Sequence, residues 1–413
     1  MTSTLPPYRE VVGRIGNSPY TDVCGYIRSD TTWTLAGSPY VVTCDIYVYG
    51  ATLTVEPGVV VKTRDATGRI NVDTRLIARG TAGQPIIFTS FKDDTAGGDT
   101  NGDGNATSAA PGDWDSVIFK SSSSGSALEF AEVRYGGHNY GFSVYVGTPN
   151  VTLADSLFTR GKGTGIYFEG AMPPTLARNR FVSNTETAAW LRMNGAPSMT
   201  LDRNQATGNP INGFVVDVQV WGDVTWDGDD AFPFVVQNLY GSGSSSLTLT
   251  PGTVVKFKNV DTPASTYGAL IARGTADRPV IFTSIKDDTA GGDTNGDGTA
   301  TAPAPGDWNT LIFNNTSTGS ILERAEVRYG GHNWGYSVYV GTPNITITDS
   351  LFTRGKDTGI FFEGAMPATL ARNRFVGNTV AAAWLRINGA PTFTLDGNQA
   401  AGNAINGFVV DNS

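Results

Sequence analysis

The sequence predicts an all-β solenoid of stacked parallel strands, and three observations predict it. Glycine is abundant (51 of 413 residues) and charged residues make up only 16%. Val, Ile, Thr, Phe and Tyr recur in short runs between the glycines, a composition that favours many short strands joined by tight turns. Apolar residues also return at a fixed interval. Ile118, Phe142, Ile166, Trp190 and Phe214 lie 24 apart, as do Val133, Leu157, Phe181 and Gln205, and the second half repeats the first series as Ile312, Tyr336, Ile360, Trp384 and Phe408. A repeat of that length, with Gly- and Asn-rich turns inside it, buries its apolar face only by stacking on its neighbours. Helical repeats would need long amphipathic runs, and Gly161, Gly163, Gly165 and Gly170 forbid one here. The third observation is a duplication, to which the elements lead in order.

Residues 1 to 20 are Pro-rich, carry no period and read as a leader or cap. The stretch TWTLAGSPYVVTCDIYVYGATLTVEPGVVVK then gives three short alternating runs separated by Gly and Pro, hence strands and turns. Cys24 and Cys44, the only cysteines, fall in the part that the second copy does not match. A disulfide closing that end, in an exported protein, is the expectation; two unpaired buried thiols are the alternative. From Leu53 and Leu247 onward the halves align without a gap at an offset of 194, matching Asp99 with Asp293, His138 with His332, Trp190 with Trp384 and Val216 with Val410. Two units are therefore expected, 21–217 and 218–413, and the junction VDVQVWGDVTWDGDDAFPFVVQ keeps strand-like alternation.

Each unit carries one long polar excursion, FKDDTAGGDTNGDGNATSAAPGDW over 91–114 and IKDDTAGGDTNGDGTATAPAPGDW over 285–308. Asp99, Asn101 and Asp103, with Asp293, Asn295 and Asp297 in the copy, follow the D-x-[DN]-x-[DN]-G pattern of a calcium loop. Oxygen ligands at every second residue and a glycine at the sharp turn let such a loop converge on one hard cation. The glutamate usual at the twelfth position is absent, Ala110 standing there. Closure is expected from Asp93, Asp94 and Asp113, and from Asp287, Asp288 and Asp307, with about one Ca2+ per unit. A metal-free cluster of polar turns is the alternative.

Phrases such as LTVEPGVVVK, LIARGTAGQPIIFTS, GDWDSVIF and LEFAEVRYGG resemble the right-handed parallel β-helix repeats of bacterial secreted and cell-surface proteins. The resemblance covers nearly the whole chain after Thr21. It implies about 15 coils of about 24 residues, with the acidic excursion inserted between two of them, and an extracellular or cell-surface setting. It says little about activity, because this fold carries lyases, hydrolases, adhesins and passive stalks. The start MTSTLPPYRE lacks a signal-peptide core, so an exported chain is expected to be a segment of a longer precursor.

Other residues invite a functional reading. His138 and His332, the only histidines, each lie in VRYGGHN beside Arg134 and Tyr140, or Arg328 and Trp334, and could form a ligand-contacting cluster; the bland reading makes each a coil turn whose imidazole bonds a backbone group. Asp155 with Glu169, and Asp349 with Glu363, are candidate carboxylate pairs for glycoside hydrolysis, whose outcome depends on a separation that sequence does not supply. Asn179 and Asn204, like Asn184 and Asn209, are 25 apart and repeat in the copy, which suits amides bonding from coil to coil. A net charge of -9 without any basic block argues against a nucleic-acid partner. No apolar run approaches the roughly 18 residues of a membrane span. The expected function is a calcium-stabilised module, a stalk, fibre segment or adhesin, with polysaccharide, other surface proteins or end-to-end copies of itself as partners. A polysaccharide lyase or glycoside hydrolase is the alternative, disfavoured because every candidate is copied as if for length or multivalency.

Overall fold

The computed structural model describes residues 19 to 413 except 229, 230, 259, 262, 365, 368, 387 to 392, 412 and 413. The expected leader thus lies, up to residue 18, outside the described residues. The rest is a parallel β-solenoid, a β-helix, whose one described helical element is the 3-10 turn Leu35–Gly37. Among the described residues no helix is long and apolar enough to cross a membrane. The chain divides into two compact units, Met1–Trp190 with Arg203–Asn212, and Leu191–Asp202 with Gly213–Ser413. The junction stretch is itself stranded, over Ile211–Val220, Asp223–Asp227 and Phe234–Gly241.

In the first unit a typical coil is three strands, for example Ser126–Glu129, Ala131–Arg134 and Phe142–Val146, followed by Val151–Ala154, Leu157–Thr159 and Thr164–Glu169 in the next coil. Each strand pairs in parallel with its counterpart one coil on. Alternation sends Leu128, Leu153 and Leu176 inward on one wall and Val133, Phe158 and Phe181 on another, all essentially without solvent contact. Phe158 stacks on Phe181 at 5.3 Å, and Phe352 on Phe375 at the same distance in the second unit.

The pairing corrects the 24-residue ladder. Val133 is in register with Phe158, and Phe158 with Phe181, so this wall advances by 25 and then 23 residues. The interval of 24 is their mean and holds only over two coils. Because side chains alternate faces, a slip of one residue changes sides: Leu157, expected beneath Val133, pairs with Glu132 and is half-buried, and Phe158 takes the core position. Elsewhere Ile118 pairs with Tyr145, and Tyr145 with Tyr167, steps of 27 and 22.

The difference in coil length falls between the corners, as in the connection after the second strand, 135–141 in one coil against 160–163 in the next, while the corner itself stays a single residue. Phe130, Asp155, Arg178 and Arg203 all hold φ between 47° and 54°, a left-handed conformation that costs a non-glycine residue about 1–2 kcal/mol. The corners persist because their backbone groups stay in the ladder: the Phe130 and Asp155 amides donate to Ala154 and Ala177 one coil on. Beside them run buried amide columns. The Asn184 backbone N–H and Nδ2 both donate to Asn209 Oδ1, at 2.9 and 3.0 Å, while Asn184 Oδ1 accepts from the Gly161 amide at 3.0 Å. Asn179 and Asn204 are linked in the same way, as are Asn373 with Asn398 and Asn378 with Asn403. A local residue three positions along ends one column in each unit, Asn212 accepting from Asn209 and Asn406 from Asn403.

Candidate metal centre

The acidic excursion leaves the solenoid after the strand Ile86–Ser90 and returns before Val117–Phe119; in the second unit it leaves after Val280–Ser284 and returns before Leu311–Phe313. Its departure is fixed by Asp93, 1% exposed. The Asp93 carboxylate accepts from Thr89 Oγ1 at 2.7 Å, Thr95 Oγ1 at 2.5 Å, the Thr95 amide at 3.2 Å and Arg134 Nη1 at 3.3 Å. Burial alone would raise its pKa, but these donors outweigh burial and hold it below the usual carboxylate value. The base is closed by Asp113, which accepts from Ser90 Oγ at 2.7 Å, Lys92 Nζ at 2.9 Å and the Ala110 amide at 2.9 Å. Asp287 and Asp307 repeat both arrangements.

The tip brings together Asp94, Asp99 and Asp103, one oxygen from each lying within 4.8 Å of the others, and Asp288, Asp293 and Asp297 do the same. Asp99 shapes the turn: its Oδ1 accepts the Gly102 amide at 2.7 Å and the Asp103 amide at 3.1 Å, and its Oδ2 the Gly104 amide at 2.9 Å. Asn101 Nδ2 donates to Asp103 Oδ2 at 2.9 Å, and the Thr107 hydroxyl donates to the same oxygen at 2.5 Å. These bonds hold the other Asp103 oxygen in place. That Oδ1 is buried without a hydrogen-bond partner, as is Asp94 Oδ1; in the copy Asp288 Oδ1, Asn295 Oδ1 and Asp297 Oδ1 share this state. Buried polar oxygens are nearly always satisfied, so inward-turned orphan oxygens at one spot are what a cation site requires. Crowding shows in Asp288, whose carboxyl is pushed up by burial and by the neighbouring Asp293 charge. Of the residues expected to close the loop, Asp94 and Asp288 join the tip, whereas Asp93, Asp113, Asp287 and Asp307 are engaged in hydrogen bonds at the base.

Sequence reasoning missed the lysine beneath each loop. Lys62, in the fully buried strand Val60–Thr63, donates to the Gly98 carbonyl at 2.7 Å. Lys256 donates to Asp287 O at 3.0 Å and Gly292 O at 2.8 Å. Both are 0% exposed. Burial pulls both lysines below their ordinary value against the opposing charges of the loop aspartates, and Lys256 is brought down to about 8. The available signal was a lysine inside an apolar run, VVVK and VVKF, at the same offset in both copies.

The histidines grip the returning end. His138 Nδ1 donates to the Gly112 carbonyl at 2.8 Å, and His332 Nδ1 to Gly306 at 2.8 Å. Arg134 and Arg328 are bound to Glu132 and Glu326 and to the buried aspartates of the base. Neither histidine shares a cluster with its neighbouring arginine. Tyr140 has Phe142 stacked on it at 5.5 Å and the Arg69 guanidinium over its ring at 4.7 Å, yet it is 52% exposed, and Trp334 is 46% exposed. The carboxylate candidates do not pair with one another: Asp155 is bound to Arg178 at 2.6 Å, Asp349 to Arg372 at 2.7 Å and Glu363 to Arg386 at 3.3 Å, while burial first and then the nearby Glu169 charge push up the Tyr145 phenol. Cys24 and Cys44 form a disulfide with Cα atoms 5.0 Å apart. Comparison with known protein families, curated proteins and solved structures finds no match to this chain.

Proposed function

We propose that each acidic loop binds one calcium ion, and that the ions stiffen the solenoid as a structural module of the extracellular or cell-surface kind, a stalk, fibre segment or adhesin. The observation that carries this reading is the convergence of Asp94, Asp99 and Asp103, with two oxygens buried and unpartnered, repeated by Asp288, Asp293 and Asp297. An all-oxygen donor set selects a hard cation. Oxygens on opposite sides of a calcium ion at 2.3–2.6 Å stand up to roughly 5 Å apart, which accommodates trios whose oxygens all lie within 4.8 Å of one another. Three gathered carboxylates repel one another, and a divalent ion converts that repulsion into attraction. The Cys24–Cys44 bridge supports an oxidising compartment.

The test is thermal unfolding of protein stripped of metal by chelation, with and without added calcium. An ion held a hundredfold above its Kd adds about 2.7 kcal/mol, or roughly 5–10 °C in Tm for a domain of this size. The double variant Asp99→Asn with Asp293→Asn should melt like the stripped protein in either condition. Superimposable melts together with no heat on calcium titration would end this reading.

A further inference from the structure

We propose that Asn150 and Asn344 are acceptors for N-linked glycosylation, each holding its sugar beside an open recess on the outside of the solenoid. The sequence holds five Asn-x-Ser/Thr sequons without a central proline, starting at Asn105, Asn150, Asn314, Asn315 and Asn344. Glycosyl transfer needs two groups of a sequon within reach: the amide that becomes bonded, and the hydroxyl two residues on that the transferase reads. In three cases the fold withholds one of them. After Asn105, the Thr107 hydroxyl is engaged inside the acidic loop by Asp103 and Asn101. Asn314 Nδ2 donates to Ser265 Oγ at 2.8 Å and to the Thr266 carbonyl at 3.1 Å. After Asn315, Ser317 is 0% exposed and its hydroxyl donates to the Gly268 carbonyl at 2.6 Å.

Asn150 and Asn344 stand differently. Each ends a Thr-Pro-Asn turn and leads into a strand, Val151–Ala154 or Ile345–Thr348. Side chains alternate along a strand, and a sequon has the same period of two. The middle residue therefore turns inward, Val151 and Ile345 being buried, while Asn150 with Thr152, and Asn344 with Thr346, face solvent together. Only the backbone of each asparagine is engaged. The Asn150 N–H donates to Thr148 Oγ1 at 3.2 Å and its carbonyl accepts from Gly125 at 2.9 Å, and Asn344 is bound alike to Thr342 and Gly319. Among the described residues no hydrogen bond reaches the four outward side chains. The acceptor is thus fixed in place while its Nδ2 stays available. Each pair borders a recess, of about 480 Å³ beside Asn150, Thr152 and Thr175 and of about 380 Å³ beside Asn344, Thr346 and Thr369, within the roughly 300–1,000 Å³ of small-molecule sites. This sequon alone occurs in both copies: Thr299 stands opposite Asn105, and Lys120 and Ser121 stand opposite Asn314 and Asn315.

The transfer balances without an oxidant or reductant. Nδ2 bonds to the anomeric carbon of a sugar carried on a diphosphate as that carbon's bond to the phosphate oxygen breaks. The diphosphate leaves with the electron pair, and the amide proton passes to a base of the transferase. Neither site touches a metal-facing carboxylate, so the proposal does not rest on the calcium reading.

The test takes the folded full chain, a soluble transferase that reads Asn-x-Ser/Thr and a nucleoside-diphosphate hexose, with occupancy mapped by peptide mass spectrometry. The folded chain should gain two hexoses, at Asn150 and Asn344, whereas proteolytic peptides of the same chain accept at the other sequons as well. Thr152→Ala should lose the hexose at Asn150 alone and Thr346→Ala the one at Asn344 alone, and both variants should keep the calcium-dependent melt of the parent. No hexose at either asparagine of the folded chain, or equal occupancy of Asn105, Asn314 or Asn315, would overturn the proposal.

Discussion

Replacing the lysine beneath the second loop, Lys256→Met, should change how stability depends on pH. Burial brings the Lys256 ammonium from 10.5 down to about 8. Below pH 8 both folded and unfolded chains carry the proton, and the folded state bears the full desolvation penalty. Between pH 8 and 10.5 the folded chain releases it first. The unfolded state then binds more protons, so stability rises with pH. For these two values the rise between pH 7.5 and 10 is on the order of 2 kcal/mol, or roughly 4–8 °C in Tm. Tyrosines such as Tyr336, pushed up to about 12 chiefly by burial, act in the opposite sense only above pH 10, and they cancel when variant and parent are subtracted. The assay is thermal unfolding at intervals from pH 7 to 10 in chelator, parent against Lys256→Met. The variant should lack the alkaline gain, so that the two curves converge or cross. Parallel curves would mean that Lys256 is not charged and buried as described, and the picture of a cation under the loop would fall.

Three further outcomes follow from the geometry. His138→Ala with His332→Ala removes one hydrogen bond from the returning end of each loop, for about 1 kcal/mol per unit, and limited proteolysis should cut within 91–114 and 285–308 sooner than in the parent. Asn184→Ala strips the Gly161 amide of its acceptor and breaks two links to Asn209; a loss of about 2–4 kcal/mol in urea unfolding is expected. Gly137→Ala should be far worse than Gly141→Ala although both positions hold positive φ, because a Cβ at 137 would stand 2.1 Å from the Lys162 carbonyl while at 141 it meets nothing within 4 Å. Soluble expression and Tm of the two variants decide it.

The solenoid was legible because repeat, glycine-rich turns and strand-forming residues all pointed the same way, and the amide columns were legible in the 25-residue spacing of Asn184 and Asn209. The register was not. Coil length alternates about its mean, the difference falls in connections such as 135–141 and 160–163, and the corners Phe130, Asp155 and Arg178 are residues that carry no turn signature. The calcium pattern identified Asp99 and Asp103 directly, but it could not say which flanking acids turn inward. Asp93 and Asp94 are adjacent in sequence and face different partners, a consequence of backbone direction at the loop base. Lys62 and Lys256 were hidden for a related reason: a lysine in an apolar run reads as a strand end until the loop that receives its ammonium is in place.

One consequence remains in the amide columns. Each asparagine gives its oxygen to the coil before it, so every turn is completed by its successor, and a nascent chain must wait for the following turn before its own donors are satisfied. Asn212 and Asn406 bring that dependence to a halt by serving their own coil. Each duplicated segment thus carries its own bookend, which makes the 194-residue block a natural unit for adding or deleting length, and shortened or extended chains should be viable when cut in whole blocks and poorly folded when cut within one.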